Sequence, residues 1–434
     1  MHIFTAKQKG HCLLLLCSRL TFFGKPSYEY ICISASSAAL RPALAHIFKS
    51  TARFASQLPR GASDAAIHRK KCTSLAAINF SAHDFAIVPI MDLKKEKTGI
   101  VLINTGSPDS PEPKDIRPYL IEFLSDRNII KVPPVIWQPI LRLFIARTRP
   151  KKTAPRYQQI WTPNGSPLAV ESRAQCDALN KRLAKAGIDA LCEVGMRYGN
   201  PSISHALQKL EAAGCNKIVA LPLFPQTAFS TVKTCKEAIQ DQVGKHPNLS
   251  LEAIVEGYND NPLYTQALAA SIRDVWEYRP GSKLLLSFHS IPLADIEAGD
   301  TYVEQIEASV HQAMELLGIP HSDWAIAYHS RFEDSRAWVT PHPKTQLAQW
   351  AAEGVSRIAL VTPGFASDCL ESLYDIKSVA RDYFLTLCSQ NDITADVTYI
   401  PCLNHREDHI DLLFNVVKKA IESIDTAEKP TNLA

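Results

Sequence analysis

The chain has 434 residues, enough for two or three domains, and its 46% hydrophobic and 21% charged residues exclude a collagen, a coiled coil and a wholly disordered chain. The net charge of +3 is unevenly spread, because residues 1–90 hold 11 of the 47 Lys and Arg but 3 of the 44 Asp and Glu. The remainder is therefore mildly acidic, which argues against a nucleic-acid surface, since such a surface needs a concentrated basic face.

Residues 1–97 are predicted to be a disordered N-terminal extension outside the folded body. They are rich in Ala and Ser, and their apolar run at 13–16 is far shorter than the roughly 20 residues of a membrane-spanning helix. This composition is typical of an organelle transit peptide. It also fits an upstream, non-native start, because Met91 stands just before the body and a charged stretch at 92–97. The second interpretation predicts a cytoplasmic protein, and the first predicts an organelle matrix.

Seven cysteines are dispersed through the rest of the chain, and no two of them form a CxxC pair. This spacing gives no support to a zinc ribbon or an iron–sulfur motif. We expect free thiols and a reducing compartment.

Eight short runs rich in Val, Ile and Leu predict strands buried on both faces. These runs lie at 99–104, 190–196, 217–223, 251–255, 283–288, 324–328, 357–361 and 396–400. Helical patterns lie at 118–124, 135–145, 167–186, 202–213, 261–277, 302–317 and 406–424. Alternating strands and helices predict an α/β fold with parallel sheets flanked by helices.

Four predicted strands precede the linker-like stretch 277–281 and four follow it. We therefore predict two similar doubly wound domains, 98–278 and 279–427, each with a four-stranded parallel sheet. Ligands of such folds bind beyond the carboxyl ends of the strands. Residues 104–108 follow the first strand without a GxGxxG or P-loop pattern, so nucleotide binding has little support.

His289 directly follows the fifth predicted strand. A histidine in that place can accept a proton or bind a metal near neutral pH, although a strand-capping histidine has the same pattern. Arg197 and Tyr198 follow the second strand, where the arginine can meet an anionic substrate or pair with an acid.

Asp368, Glu371 and Asp375 follow the seventh strand with i, i+3, i+7 spacing, which predicts one line of carboxylates on a helix face. Such a line can relay protons or pass on a hard cation. Acids near a helix start are also favourable for capping alone. The apolar helices at 118–124 and 135–145 fit core packing, a substrate lip or a membrane-surface contact.

Taken in order, the motifs of this chain resemble those of the ferrochelatases, which insert ferrous iron into a porphyrin to make haem. The matching motifs are LINTGSP at 102–108, FLSDR at 123–127, GSPL at 165–168, MRYG at 196–199, LPLFPQ at 221–226, SFHSIP at 287–292, GD at 299–300, SRF at 330–332 and GFASDCLE at 364–371. One such motif is weak, but their order and spacing across 98–424 are specific.

The resemblance implies a chelatase fold with a porphyrin cleft between the two domains. It implies that His289 and Glu371 are catalytic and contact the metal, and that Asp375 is a further acid on the same helix face. Arg197 and Tyr198 match a substrate-binding pair near the cleft. The expected partners are a porphyrin, protoporphyrin IX or coproporphyrin III, and Fe²⁺ as the second substrate.

The chain departs from the family pattern at Thr227, Ala228 and His329, where many members have Tyr, Ser and Gln. The first two departures put in doubt a role of that loop in metal entry. The C-terminus lacks the clustered cysteines of some relatives, so no [2Fe–2S] cluster and no permanently bound cofactor are expected. No segment of the body is apolar enough to span a membrane, so any membrane contact is expected to be peripheral.

Two other functions remain open from the sequence. A porphyrin- or haem-binding protein without turnover would need the cleft but not both His289 and Glu371. A chelatase for another tetrapyrrole, such as one that inserts cobalt into sirohydrochlorin, would usually carry a pair of active-site histidines. The oligomeric state is not indicated by the sequence.

Overall fold

The computed structural model describes residues 2–8, 11–22, 25–35, 97–332 and 334–427. The chain divides into two compact units, Met1–Lys95 and Glu96–Ala434. In the first unit, strands β1 (His2–Gln8), β2 (His11–Phe22) and β3 (Lys25–Ala35) form an antiparallel sheet in that order. This sheet differs from the predicted disorder, and the local abundance of Leu, Ile, Phe and Tyr favours strands. The rest of the predicted extension, 36–96, lies outside the described residues.

The described residues of the second unit form two parallel sheets of four strands each. The first sheet holds β4 (Thr98–Asn104), β5 (Ala190–Met196), β6 (Lys217–Pro222) and β7 (Ser250–Ile254). The second holds β8 (Lys283–His289), β9 (Trp324–His329), β10 (Arg357–Val361) and β11 (Asp396–Ile400). All eight strands lie where the sequence predicts them, and the predicted α/β fold with two similar halves is confirmed.

Both sheets have the same strand order, β5-β4-β6-β7 and β9-β8-β10-β11. In each sheet the first strand therefore lies between the second and the third. The chain passes from the first strand to the second on one side of it and then crosses back to the third on its other side. This reversal creates a topological switch point between β4 and β6 and another between β8 and β10. A crevice opens at the carboxyl ends of the strands at such a point.

Helices flank the sheets and provide the connections between parallel strands. In the first half they are α1 (Pro113–Ser125), α2 (Pro134–Ile140), α3 (Ala146–Ile160), α4 (Pro167–Lys185), α5 (Ile203–Ala212), α6 (Thr234–Val243) and α7 (Pro262–Val275). In the second half they are α8 (Leu293–Glu297), α9 (Tyr302–Leu317), α10 (Pro343–Ala352), α11 (Arg381–Gln390) and α12 (Glu407–Ala427). Three segments are π-helical, namely Leu141–Ile145, Phe229–Lys233 and Glu371–Ala380.

Helix α3 was not predicted, because Pro150 and Pro155 lie inside it and proline removes a backbone donor from a helix. Packing compensates for that cost. Ala154 and Tyr157 of α3 are buried against Ile116 of α1 in a small apolar cluster. Tertiary contacts therefore stabilise a helix that the local sequence disfavours.

The last helix packs on the first sheet. Leu413 and Val417 of α12 are fully buried in the same apolar cluster as Ile100 and Leu102 of β4. Helix α7 contributes to the cores of both halves, with Tyr264 in the first and Ile272 in the second. The predicted boundary at 278/279 remains a prediction, but a cut at that point does not separate the packing of the two halves.

The substitution Leu413→Ala is expected to lower the free energy of unfolding by about 2–5 kcal/mol, because it opens a cavity in the first core. The Leu413 side chain is 0% exposed in that core, although Leu413 lies 309 residues after Asn104, the last residue of β4. Denaturant unfolding of the purified protein measures the effect. Leu316→Ala is the matched control, because Leu316 is 49% exposed on α9 and its loss is expected to be small. Equal effects of the two substitutions would contradict the packing of α12 described here.

Candidate active site

A cleft with about 1210 Å³ of empty space, its open mouth included, lies at the carboxyl ends of both sheets. The carboxyl ends of the four switch-point strands line it, with Ser107 after β4, Phe224 after β6, His289 at the end of β8 and Phe365 after β10. The cleft is where the sheet topology predicts a ligand.

Aromatic side chains from both halves cover much of the cleft surface. They are Tyr119, Phe123, Tyr157, Phe224, Tyr302, Phe332, Phe365 and Trp338. Flat rings of this kind offer large apolar contact areas to a planar ligand. Burial raises the pKa of Tyr157 well above its usual value, so its phenol stays protonated in the cleft.

His289 is the last residue of β8 and lies half-buried on the cleft. Its Nδ1 atom lies 2.6 Å from the backbone oxygen of Ser290. A carbonyl oxygen can only accept a hydrogen bond, so Nδ1 carries the proton and donates it. Ser290 is itself held, because its backbone N–H donates to the His329 carbonyl at 2.8 Å. In neutral His289, the Nε2 atom therefore has a free lone pair.

Glu371 is the first residue of the π-helical segment Glu371–Ala380 and also lies on the cleft. A buried carboxylate anchors the loop before it. Asp368 accepts hydrogen bonds from Ser372 Oγ at 2.9 Å, Tyr399 Oη at 2.6 Å and Asn404 Nδ2 at 2.8 Å. Asp368 does not line the cleft, so it is not part of the predicted line of carboxylates. Asp368 precedes the helix rather than lying on it, and its side chain is therefore buried beneath the loop that leads to Glu371.

Asp375 lies four residues after Glu371 in the same π-helical segment, and it is half-buried behind the cleft surface. Its carboxylate accepts a hydrogen bond from Ser330 Oγ. Burial and the nearby charge of Glu371 raise the pKa of Asp375 above its usual value. π-Helical hydrogen bonds join residues five apart, so residues four apart come nearly into line along the segment. Two of the three acids of the predicted line, Glu371 and Asp375, therefore lie on one segment, and their role stays a prediction.

Arg197 and Tyr198 lie in a buried polar cluster and are not among the residues that line the cleft. Both bind Asp126, the aspartate of the FLSDR motif, Arg197 through its guanidinium and Tyr198 through its hydroxyl at 2.8 Å. Thr234 Oγ1 donates a hydrogen bond to the same carboxylate and accepts one from Arg197 Nε. Substrate binding by Arg197 and Tyr198 stays a prediction, and these contacts favour a supporting role.

The backbone of the same two residues holds the loop after β4. Arg197 and Tyr198 donate backbone hydrogen bonds of 2.8 and 3.0 Å to the carbonyls of Asn104 and Thr105. Gly106 follows with φ +101°, and a Cβ atom there would lie 1.8 Å from the Tyr198 carbonyl oxygen. Only glycine fits this approach. The MRYG and LINTGSP motifs therefore contact each other, and this contact shapes the cleft.

The three departures from the family pattern lie beside the cleft rather than on it. Thr227 exchanges two hydrogen bonds with Gln305, and Ala228 is buried in the second core. His329 is buried with its ring centroid 6.2 Å from that of His289, and it stacks on Phe365. Burial and the neighbouring His289 lower the pKa of His329 well below its usual value.

Sequence reasoning missed several residues that line the cleft. Tyr119, Tyr157, Arg336 and Trp338 come from helices α1 and α3 and from the loop after β9. None of them directly follows a predicted strand, so a position at a strand end does not identify them. Helical tyrosines of this kind cannot be told from core residues by periodicity alone.

Within residues 97–332 and 334–427, no group of three or more His, Cys, Asp or Glu side chains is placed to hold a metal ion. His289 and Glu371 are thus too few for a closed, structural metal site. None of the helices in the described part of the chain has the length and hydropathy of a membrane span.

The family model for ferrochelatase matches residues 97–421. The ferrochelatase of Azoarcus sp. is 37% identical over 337 residues, which cover 77% of this chain and 91% of that protein. The ferrochelatase of Methylococcus capsulatus is 38% identical, covering 74% of this chain and 96% of that protein. Among solved structures, SirB from Bacillus subtilis with Fe³⁺ matches with a TM-score of 0.47 at 11% identity, covering 76% of this chain and 98% of that one.

We expect Asp126→Asn to destabilise the protein at neutral pH, because it leaves Arg197 without its buried partner. The cost of breaking a buried pair is about 3–5 kcal/mol, and the partial exposure of Arg197 places this one at the lower end. Despite burial, hydrogen bonds from Thr234, Asn128 and Tyr198 hold the pKa of Asp126 below its usual value. Its contribution is therefore present above about pH 4, the unfolded pKa, and is lost as the pH falls through the lower folded pKa.

Unfolding in denaturant at pH 7, 5, 4 and 3 measures this effect. The difference between the unsubstituted protein and Asp126→Asn should be full at pH 7 and shrink below pH 4. Asp260→Asn is the control, because Asp260 is exposed. A difference that stays constant down to pH 3 would contradict the role assigned to the charged carboxylate.

Proposed function

This chain belongs to the ferrochelatase family and inserts ferrous iron into a free-base porphyrin in haem synthesis, and we propose that His289 and Glu371 carry out the insertion. The proposal is supported by the position of His289, at the end of β8, and of Glu371, at the start of the π-helical segment after β10, because both residues line one cleft and His289 Nε2 is free. Protoporphyrin IX and coproporphyrin III are the candidate substrates.

Insertion replaces two N–H protons of the porphyrin by one Fe²⁺ ion. The enzyme must therefore accept two protons and bring the cation to the centre of the ring. His289 is suited to accept the protons, because its Nδ1 proton is held by the Ser290 carbonyl and its Nε2 is free. Each proton then leaves Nε2 for a neighbouring acceptor before the next is taken.

Glu371 and Asp375 are suited to receive the cation and to pass protons outward. Carboxylate oxygens replace part of the water shell of an incoming divalent ion. One histidine and one carboxylate form an incomplete ligand set for iron, so Fe²⁺ would bind weakly and leave with the product. Burial and the charge of Glu371 raise the pKa of Asp375, so its carboxyl group releases a proton less readily than that of a free aspartate. Weak metal binding is what a metal-transferring enzyme requires.

We propose that the protein works in the cytoplasm without a permanently bound cofactor. The seven described cysteines are free thiols, and all of them are buried. Free thiols support a reducing compartment. They are dispersed in sequence, which supports the prediction that no [2Fe–2S] cluster is bound.

The substitution His289→Ala is expected to lower kcat for iron insertion about 10²- to 10⁴-fold, the usual contribution of general base catalysis. Porphyrin affinity is expected to change little, since the aromatic walls remain. Anaerobic absorbance spectroscopy with Fe²⁺ and protoporphyrin IX or coproporphyrin III follows the loss of the free-base bands. His205→Ala is the matched control, because His205 is exposed on α5.

A His289→Ala variant with a near-normal insertion rate would refute the proton-acceptor role. Tight porphyrin binding by the unsubstituted protein, with no insertion above the uncatalysed rate, would instead indicate a porphyrin carrier. The faster of the two substrates in this assay identifies the macrocycle that the enzyme uses.

We further propose that the segment 132–152 makes a peripheral contact with an anionic membrane surface. Val135, Ile136, Leu143 and Phe144 are exposed apolar side chains, with Val135 at 86% and Phe144 at 66%. Residues 134–160 hold six Lys or Arg and no Asp or Glu. Exposed apolar side chains beside basic ones are typical of helices that lie in an anionic bilayer interface.

Co-sedimentation with vesicles of phosphatidylglycerol and phosphatidylcholine tests this contact. The double substitution Ile136→Ser and Phe144→Ser is expected to reduce the bound fraction several-fold, because it removes apolar area from the contact. High salt and vesicles of phosphatidylcholine alone should also reduce binding. Leu316→Ser is the control, as Leu316 is exposed on α9. Equal binding to both kinds of vesicle would refute the electrostatic part of the proposal.

A further inference from the structure

The structure brings together two thiols that the reaction in the cleft does not use. Cys176 lies on α4 and Cys192 on β5, and their Sγ atoms are 3.3 Å apart. We propose that a peroxide such as hydrogen peroxide converts this pair into a reversible disulfide, and that the disulfide slows the reaction in the cleft. The formation of the disulfide is independent of the proposed function, whereas its effect on the reaction rests on that function.

Asn180, one turn after Cys176 on α4, holds the two thiols close together. Its Oδ1 accepts a hydrogen bond from the Cys192 backbone N–H at 2.8 Å, and its Nδ2 donates one to the Cys192 carbonyl at 3.0 Å. Cys176 Sγ lies 3.2 Å from the same carbonyl oxygen. A disulfide bond measures roughly 2.05 Å, so the two sulfur atoms must approach each other by about 1.2 Å.

A surface pocket of the first half leads to this pair of thiols. Cys176, Asn180 and Cys192 line the pocket, which has about 1490 Å³ of empty space, open solvent included. None of its lining residues also lines the cleft, so an oxidant reaches the thiols without entering the cleft. Cys176 is 5% exposed and Cys192 is 1% exposed. The more exposed Cys176 is therefore the first target of a molecule as small as hydrogen peroxide.

The oxidation proceeds in two steps. The thiolate of Cys176 attacks one oxygen of hydrogen peroxide, the O–O bond breaks, and a sulfenic acid forms with release of hydroxide. Asn180 Nδ2 lies 3.8 Å from Cys176 Sγ, and a donor in that place favours the thiolate. The hydroxide takes the proton of Cys192, whose sulfur then displaces the sulfenic oxygen. The two thiols lose two electrons and two protons in total, and the peroxide becomes two molecules of water.

Helix α4 connects the pair of thiols to the cleft. Gln175, the neighbour of Cys176, is fully buried, and its Nε2 donates a hydrogen bond to the Ala366 carbonyl at 2.9 Å. Its Oε1 accepts one from Ser367 Oγ at 3.2 Å. Ala366 and Ser367 line the cleft in the loop that leads to Glu371. A shift of α4 that brings Cys176 to Cys192 therefore displaces the hydrogen bonds that hold this loop.

Inert packing in the core is the competing explanation, because most buried cysteines do not react. Burial raises the pKa of the Cys192 thiol well above its usual value, so we expect the oxidation to be slow at neutral pH and faster at higher pH. The two explanations differ in one measurable respect. Inert thiols stay unlinked in peroxide, whereas a redox-active pair forms one defined disulfide that a reductant opens.

Peptide mapping tests whether this disulfide forms. The full-length protein is treated with millimolar hydrogen peroxide at pH 8, its remaining thiols are blocked, and it is digested with trypsin. Trypsin cleaves after Lys and Arg, so Cys176 falls in the peptide 174–181 and Cys192 in the peptide 186–197, each with one cysteine. We expect mass spectrometry to find these two peptides linked, and dithiothreitol to separate them. Peptides that stay unlinked after this treatment would overturn the inference.

Iron insertion by the same protein, measured anaerobically after removal of the peroxide, tests the effect on the cleft. We expect the oxidised protein to be about 10-fold slower, because a displacement of about 1 Å at a site of chemistry can cost more than that. Dithiothreitol should restore the rate. Cys176→Ala and Cys192→Ala should each keep their rate after the same treatment.

Cys235→Ala is the matched control, because Cys235 is 1% exposed in another apolar cluster of the same half. Its rate should fall on oxidation as that of the unsubstituted protein does. A linked pair with an unchanged rate, or a loss of rate that persists in Cys176→Ala, would overturn the effect on the cleft. Absence of insertion in the untreated protein would instead contradict the proposed function, and peptide mapping would still decide whether the disulfide forms.

Discussion

The parallel pairing of β8 with β9 and β10 is the constraint on which the cleft depends. His289 stands at the last paired position of β8, opposite His329 of β9. Leu284 and Leu286 are fully buried in one apolar cluster and Leu285 in another, so the strand cannot slip along its neighbours without misplacing all three. A slip of one residue would turn every side chain to the opposite face. Packing far from the chemistry therefore keeps the imidazole on the cleft.

Two buried carboxylates hold the loops around the cleft in place. Asp126 binds Arg197, Tyr198 and Thr234, and it thereby ties α1 to the loop after β5 and to α6. Asp368 does the same for the loop that leads to Glu371. Burying a carboxylate is costly unless donors surround it, and here each carboxylate has several. The protein thus uses buried acids to hold its loops.

Two helices pack against the half of the protein to which they do not belong in sequence, and these contacts support the cleft. Helix α12 ends the chain but packs on the first sheet, and α7 contributes to both cores. Tyr264 of α7 donates a hydrogen bond of 3.0 Å to the Pro363 carbonyl in the loop after β10. Gln175 of α4 donates to the Ala366 carbonyl in the same loop at 2.9 Å. The loop that carries Phe365 and Glu371 is therefore supported by the opposite half.

The sequence by itself determined the eight strands, the α/β class and the place of His289, because these depend on apolar runs and on the residue that follows each run. The spacing of acids after the seventh strand also indicated Glu371, and the motif resemblance implied the catalytic roles of His289 and Glu371. Tertiary structure alone decided that Asp368 lies under its loop, that Arg197 and Tyr198 support the cleft from behind, and that Arg336 lies on it. It also decided that α3 is helical despite Pro150 and Pro155. Strand patterns are set by neighbours in sequence, whereas membership of a cavity is set by contacts between residues more than a hundred positions apart.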